Sequence, residues 1–228
     1  MMEPTIWIAC LVIAILIVWV IYYYRKRRQM LAGLALRLQM RFSSGDTLDL
    51  LARLADCYLM QFGHSRRILN ILTSRREERT VFAFDYRYET GSGQDRTLHH
   101  YSVIAWQQKV SLPSVIALAD QPFLPLGKFR SFAPMPTGNM KFDEAFTLYT
   151  DNAPAVQKLL TRDIQKILLD CGLLNWQWQD QWIIFYTQSV LSALQIARLI
   201  HRGSHCCRLI ADAKNIDEPA PPESTSSN

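Results

Sequence analysis

Hydrophobic and polar positions along this chain change period four times, and each change marks an element. The first run, IWIACLVIAILIVWVIYYY from Ile6 to Tyr24, is apolar or aromatic throughout and contains no charge, Pro or Gly. As a helix its 19 residues reach about 28 Å at roughly 1.5 Å per residue, close to the hydrocarbon thickness of a bilayer. The spacing predicts a transmembrane anchor over residues 1–24. A cleaved signal peptide fits poorly, since MMEPT carries no positive charge and bulky residues stand where cleavage would need small ones. Tyr22, Tyr23 and Tyr24 fall at headgroup level, and Arg25, Lys26, Arg27 and Arg28 follow directly, a membrane-interface set that places the C-terminal side in the cytoplasm.

Residues 25–42 read as a basic juxtamembrane segment that either extends the helix or lies along the anionic leaflet. Beyond SSGD, where Asp46 or Thr47 can cap a helix, Leu48, Leu51, Ala52, Ala55, Tyr58, Leu59 and Phe62 recur at helical spacing up to Gly63. The period then drops to two. RRILNILTS, TVFAFDYRYE and TLHHYSVIAWQQ are expected as successive antiparallel strands, with SLPSVIALAD as a fourth that Pro113 confines to an edge or a late start. Residues 43–120 thus form a helix plus meander, and the Pro-rich stretch 121–140 a long connection. Residues 141–214 follow as a β-α-β-β-α half: a strand at FDEAFTLYT, a helix from Pro154 to Gly172, a hairpin of LLNWQWQ and WIIFYTQ about QDQ, and a helix capped by Ser189 that ends at Gly203. Residues 215–228 carry almost nothing apolar and read as a disordered tail. The fold class is α+β, an N-terminal transmembrane helix ahead of an antiparallel meander and that second half.

Charge narrows the function classes. The net +5 comes from position: Arg25 to Arg41 holds six of the 25 basic residues and no acid, leaving 19 basic against 19 acidic residues from Phe42 onward. Nucleic-acid binding needs a distributed phosphate-facing field, so it is excluded as a partner class and the lipid bilayer takes its place. The five cysteines, an odd count without framework spacing, suit a reducing compartment.

Candidate chemistry is sparse. Gly91 and Gly93 lie between two strand patterns with no lysine after them, so they are expected to turn a hairpin rather than cradle a phosphate. With pairing symmetric about Gly93, Asp85 faces Tyr101 and Arg87 faces His99, which makes Asp85, His99 and Tyr101 a weak general-base set with no nucleophile placed beside it. The bland alternative is cross-strand pairing on a solvated face. His201, His205 and Cys206 in HRGSHCC are weak metal candidates, since adjacent Cys206 and Cys207 point apart and Gly203 is expected to break the helix between the histidines. Trp176, Trp178 and Trp182 have glutamines rather than basic residues between them, a core pattern more than a stacking surface. No phosphate-loop, dinucleotide, zinc-protease or nucleophile-elbow motif occurs, and no cofactor is implied.

The segments GHSRRILNILTS, VFAFDYRYETGSGQ and HHYSVIAWQ, with Leu112 and Pro113 after the return strand, resemble a bacterial family of proteins without assigned activity that carry one N-terminal membrane helix and a cytoplasmic α+β domain. The resemblance covers roughly Met1 to Ile200 and implies a bacterial source and an inner-membrane location, with no catalytic residues to carry over. Three functional expectations follow: a tethered interaction or scaffolding module with a membrane or membrane-proximal protein partner, a membrane-associated hydrolase or modifying enzyme using the Asp85 and His99 face, and lipid-headgroup sensing by Arg25 to Arg41.

Overall fold

A computed structural model describes residues 4–76, 79–119 and 121–217. The first element, α1 (Pro4–Arg37), is a single helix of 34 residues, so the apolar run and the basic segment are one rigid rod about 51 Å long. Its two halves differ in surroundings. From Trp7 to Tyr23 every large apolar side chain described is 43–66% exposed, whereas Leu31, Leu34 and Ala35 are buried in the core. Of the two expectations for segment 25–42, it extends the helix as far as Arg37, with Leu31, Leu34 and Ala35 packed in the core and Leu36 left exposed. Among the described residues no helix is long and apolar enough to cross a membrane.

Seven strands form one antiparallel sheet: β1 (Arg41–Gly45), β2 (His64–Arg76), β3 (Arg79–Thr90), β4 (Thr97–Leu118), β5 (Ala133–Met135), β6 (Thr147–Thr150) and β7 (Asn175–Thr187). Their order is β1-β2-β3-β4-β6-β5, with β7 also pairing β4. The 22-residue β4 joins the two halves, since β3 pairs its first part, β6 its last, and β7 lies along both. The expected fourth strand is the second part of β4. Pro113 is accommodated because register shifts between Gln107 and Val115 bulge the strand there, where a ladder donor is dispensable. That bulge exchanges faces: Trp106 and Leu112 share one core with Val115 and Ala117, even positions giving way to odd ones.

The second expected hairpin is likewise one strand. Asp180 adopts φ 50° and bulges β7 opposite Leu112 instead of reversing it, and its carboxylate accepts a bond from Ser111 Oγ at 3.0 Å. Trp176 and Trp178 consequently face one core and Trp182 the other.

Both sheet faces are covered. The end of α1 packs on the first together with α3 (Met140–Ala145), α4 (Ala153–Leu159), α5 (Arg162–Asp170) and α6 (Ala193–Asp217). FDEAFTLYT is thus a helical turn followed by β6, and the helix expected from Pro154 to Gly172 is two. Thr161 caps the second, accepting from Ile164 N, and Gln165 Nε2 donates to the Leu160 carbonyl at 3.0 Å.

On the second face lie α2 (Leu50–Arg53) and a 3₁₀ turn, Tyr58–Gln61, in place of one helix to Phe62. Asp46 does cap, accepting from Leu50 N and Leu51 N at 2.8 Å. A one-sided helix cannot bury Cys57, Tyr58, Leu59 and Met60 in succession, and all four are buried. Tyr58 N instead donates to Gln177 Oε1 at 2.8 Å. The Pro-rich stretch 121–140 closes this face, with Phe123 stacked 4.1 Å from Tyr149 and Phe129 fully buried.

The last helix starts at Ala193, where Ser192 and Gln195 bond reciprocally as a capping box. It does not stop at Gly203 but runs to Asp217, through the first residues of the expected tail, and residues 218–228 lie outside the described ones. Gly203 is there for proximity: a Cβ would sit 2.2 Å from the Trp106 ring. Gly203→Ala should therefore destabilise the chain by about 1–3 kcal/mol through overpacking, reversing the gain of about 1 kcal/mol normally expected of Ala in a helix. Urea unfolding of the detergent-solubilised chain reads the sign, and adding Trp106→Phe should recover part of the loss.

Candidate functional site: the junction of the first helix with the sheet

Sequence pattern puts Asp85 and Arg87 on one face of β3, and the register decides what joins them. The pairing is Asp85 with Ser102, Arg87 with His100 and Tyr88 with His99, one residue away from symmetry about Gly93. The reason is the connection: Gly91 and Gly93, both at positive φ, lead into a 3₁₀ turn over Gly93–Asp95 that lengthens the loop. A one-residue slip moves every side chain of the return strand to the other face.

His99 and Tyr101 therefore leave the sheet opposite Asp85, and the expected Asp85–His99 general-base pair does not form. His99 stacks on Tyr88 with centroids 4.7 Å apart and its Nε2 lies 2.8 Å from Thr90 Oγ1. Tyr101 is buried among Tyr88 and Tyr186. Burial raises the pKa of the Tyr88 and Tyr186 phenols and pushes that of Tyr86 up to about 12.

Asp85 meets the first helix instead. Arg27 of α1 grips it as a fork, Nη2 to Oδ1 at 2.8 Å and Nε to Oδ2 at 3.3 Å, and Arg27 is only 8% exposed. So Arg27 leaves the interface set of Tyr22, Tyr23, Tyr24, Arg25, Lys26 and Arg28, which stay exposed. Asn70 Nδ2 donates to the same carboxylate at 2.9 Å. Asn70 sits at φ 53° in a bulge of β2, a conformation Asn tolerates and one that aims its amide at Asp85. Arg27 Nη1 also donates to the Leu191 carbonyl, and Leu191 N donates to Ser102 Oγ at 3.1 Å. One carboxylate thereby ties α1, β2, β3 and, through Arg27 and Leu191, the approach to α6.

Above this network lies a cavity of about 360 Å³, walled by Trp19, Tyr23 and Tyr24 of α1, by Arg87 and His100 of the hairpin, and by Val190. The Arg87 guanidinium lies 4.5 Å from the Tyr24 ring centroid, a cation–π contact. Burial, and then the neighbouring Arg87 charge, lower the His100 pKa, partly offset by Asp85. A larger groove of about 790 Å³ opens between the far end of α1 and α6, with Arg75, Arg79, His201 and Arg208 about an apolar floor. Its His201 and the nearby His205 are exposed, whereas Cys206 is fully buried. The proposed metal set is thus split across the helix, and among the described residues no group of three potential metal ligands is assembled.

Nothing in the alternation of HHYSV marked His100 and Ser102, rather than His99 and Tyr101, as companions of Asp85. Asp85 stands out in the sequence as a candidate base, and Arg27, Tyr23 and Tyr24 as part of the interface run, but nothing local joins them.

No family model matches the sequence, and no curated protein matches it. Among solved structures, the crystal structure of the mycobacterial trehalose monomycolate transport factor A, TtfA, is similar, with a TM-score of 0.59 at 16% identity. The alignment covers 86% of this chain and 99% of that one. At that identity the likeness shows a shared fold.

Two outcomes follow from the site's geometry. Arg27→Ala or Asp85→Ala alone should cost about 3–5 kcal/mol, because each leaves a buried charge without its partner, while the double variant should cost clearly less than the sum. Denaturant unfolding of the four proteins measures this, and single losses under about 1 kcal/mol would mean an ordinary surface pair. In an NMR titration His100 should change protonation below the ordinary imidazole range, and Arg87→Ala should move its midpoint upward.

Proposed function

We propose that the chain is a single-pass bacterial inner-membrane protein, N-terminus outside, whose cytoplasmic α+β domain acts as a protein-interaction or scaffolding module held against the bilayer. The observation that carries the reading is α1 itself. Its first half is apolar on all sides and uncovered, and the same helix enters the core at Arg27 without a linker. An uncovered apolar surface of this extent exceeds what soluble monomers tolerate, and a bilayer solvates it. Orientation rests on Arg25, Lys26 and Arg28, still exposed directly after the tyrosines. Likeness in fold to a transport factor agrees with a membrane-associated role. Because the anchor is one rod with the core, the domain is presented at a set height and angle, as suits a docking platform for a membrane protein. The hydrolase reading has lost its geometry, since Asp85 is occupied by Arg27 and His99 lies on the other face.

Fractionation tests the proposal. The full chain should sediment with membranes and resist extraction at alkaline pH, and protease added outside intact spheroplasts should spare the domain. Recovery in the aqueous fraction, or digestion from outside, would overturn it.

A further inference from the structure

The cavity between α1 and the β3–β4 hairpin has a composition that the scaffolding role does not explain. We infer that it is a binding site for the phosphate-bearing headgroup of a membrane lipid, with Arg87 and His100 as the groups that contact the phosphate; this rests on the membrane placement proposed above.

Charge on this face is unbalanced at Arg87. Of the carboxylates flanking it along β3, Asp85 is held by Arg27 and Asn70, and Glu89 pairs with Arg96 at 3.2 Å. Arg87 has neither, and its Nε is buried with no hydrogen-bond partner among the described residues. Across the ladder its β2 neighbour is Arg67 and its β4 neighbour is His100. Like charges directly opposite one another on a sheet are destabilising; Arg67 does not line the cavity, so an anion seated beside Arg87 and His100 is what offsets the charge there. A phosphate accepts two parallel guanidinium bonds, and a neutral imidazole still donates one more.

The walls specify the rest of the ligand. Trp19, Tyr23 and Tyr24 line the opposite side, eight residues from Trp19 to Arg27, or about 12 Å of helix. That length bridges from the hydrocarbon edge into the headgroup layer, which is about 5–7 Å thick on each side. A free anion would leave these rings unused. A lipid places its glycerol and first methylenes against them and its phosphate on Arg87. The larger groove beside Arg75 and Arg208 lies near the other end of the buried part of α1, beyond Leu38, some 20 Å further along the rod from Tyr24 and out of reach of a leaflet.

The test uses the full chain in uncharged detergent micelles, followed by the ring resonances of His100 and Trp19. Dihexanoyl phosphatidylglycerol should shift both saturably and give magnetisation transfer from its glycerol protons to the Tyr24 ring. Inorganic phosphate, and dihexanoylglycerol without phosphate, should each act at least tenfold more weakly. Arg87→Ala should raise the midpoint at least tenfold, whereas Arg75→Ala and Arg208→Ala in the other groove should leave it unchanged. Equal response to the phosphate-free lipid, equal response to inorganic phosphate, or no transfer to Tyr24 would each overturn the inference, as would an unchanged midpoint in Arg87→Ala. Should Arg87→Ala unfold, the wild-type transfer and the two control ligands still decide. Failure here in a chain that fractionates with membranes removes the headgroup site alone, while binding by a chain found in the aqueous fraction removes the anchor alone.

Discussion

The contact on which this structure depends is the buried pairing of Arg27 with Asp85. Taking both charges out of water is costly, and the cost is met only because the carboxylate is forked by the guanidinium and bonded again by Asn70. Its consequence is geometric more than energetic. Aliphatic packing of Leu31 and Leu34 would hold α1 on the sheet with some freedom to slide, whereas a fork with defined directions fixes its height and rotation. The strained backbone at Asn70 and the clamp on Leu191 are spent on that same fixing.

Bulges provide the second level of organisation. Those in β2, β4 and β7 each insert an irregularity in a long antiparallel ladder, and each is tied by a side chain: Asn70 to Asp85, and Ser111 to Asp180. They let one 22-residue strand serve both halves of the molecule, and they let tryptophans from a single strand fill two cores. Helix α6 can then cross the first face closely because Gly203 leaves room for the Trp106 ring. The sheet is doubly covered, and α1 arrives at a polar corner of it.

That corner connects the exposed half of α1 with the sheet. Tyr24 touches Arg87, Arg27 touches Asp85, and Leu31 is already core, so within two turns the helix passes from exposed apolar surface to interior. Any force, tilt or ligand acting at the end of the exposed stretch is felt at the β3–β4 hairpin without an intervening linker. The exposed stretch of α1 and the sheet therefore move as one body.

The α+β class, the apolar first helix, the β2–β3–β4 meander, the glycine turn at Gly91 and Gly93 and the caps near Asp46 and Pro154 were legible in the sequence, because each depends on neighbours within a few residues. The ends of several elements were not. QDQ and LPS carry turn chemistry but become bulges, since the partner strand continues past them, and Gly203 carries a stop signal that the Trp106 ring converts into a close contact. The candidate site was hidden for the same reason. Its residues come from α1, β2, β3, β4 and the approach to α6, and a register one residue from symmetry exchanges His99 for His100 as the companion of Asp85. Local periodicity assigns each side chain to one of two faces of its own strand; which residues share a face across strands is set by pairing over long separations, and only the tertiary structure decides it.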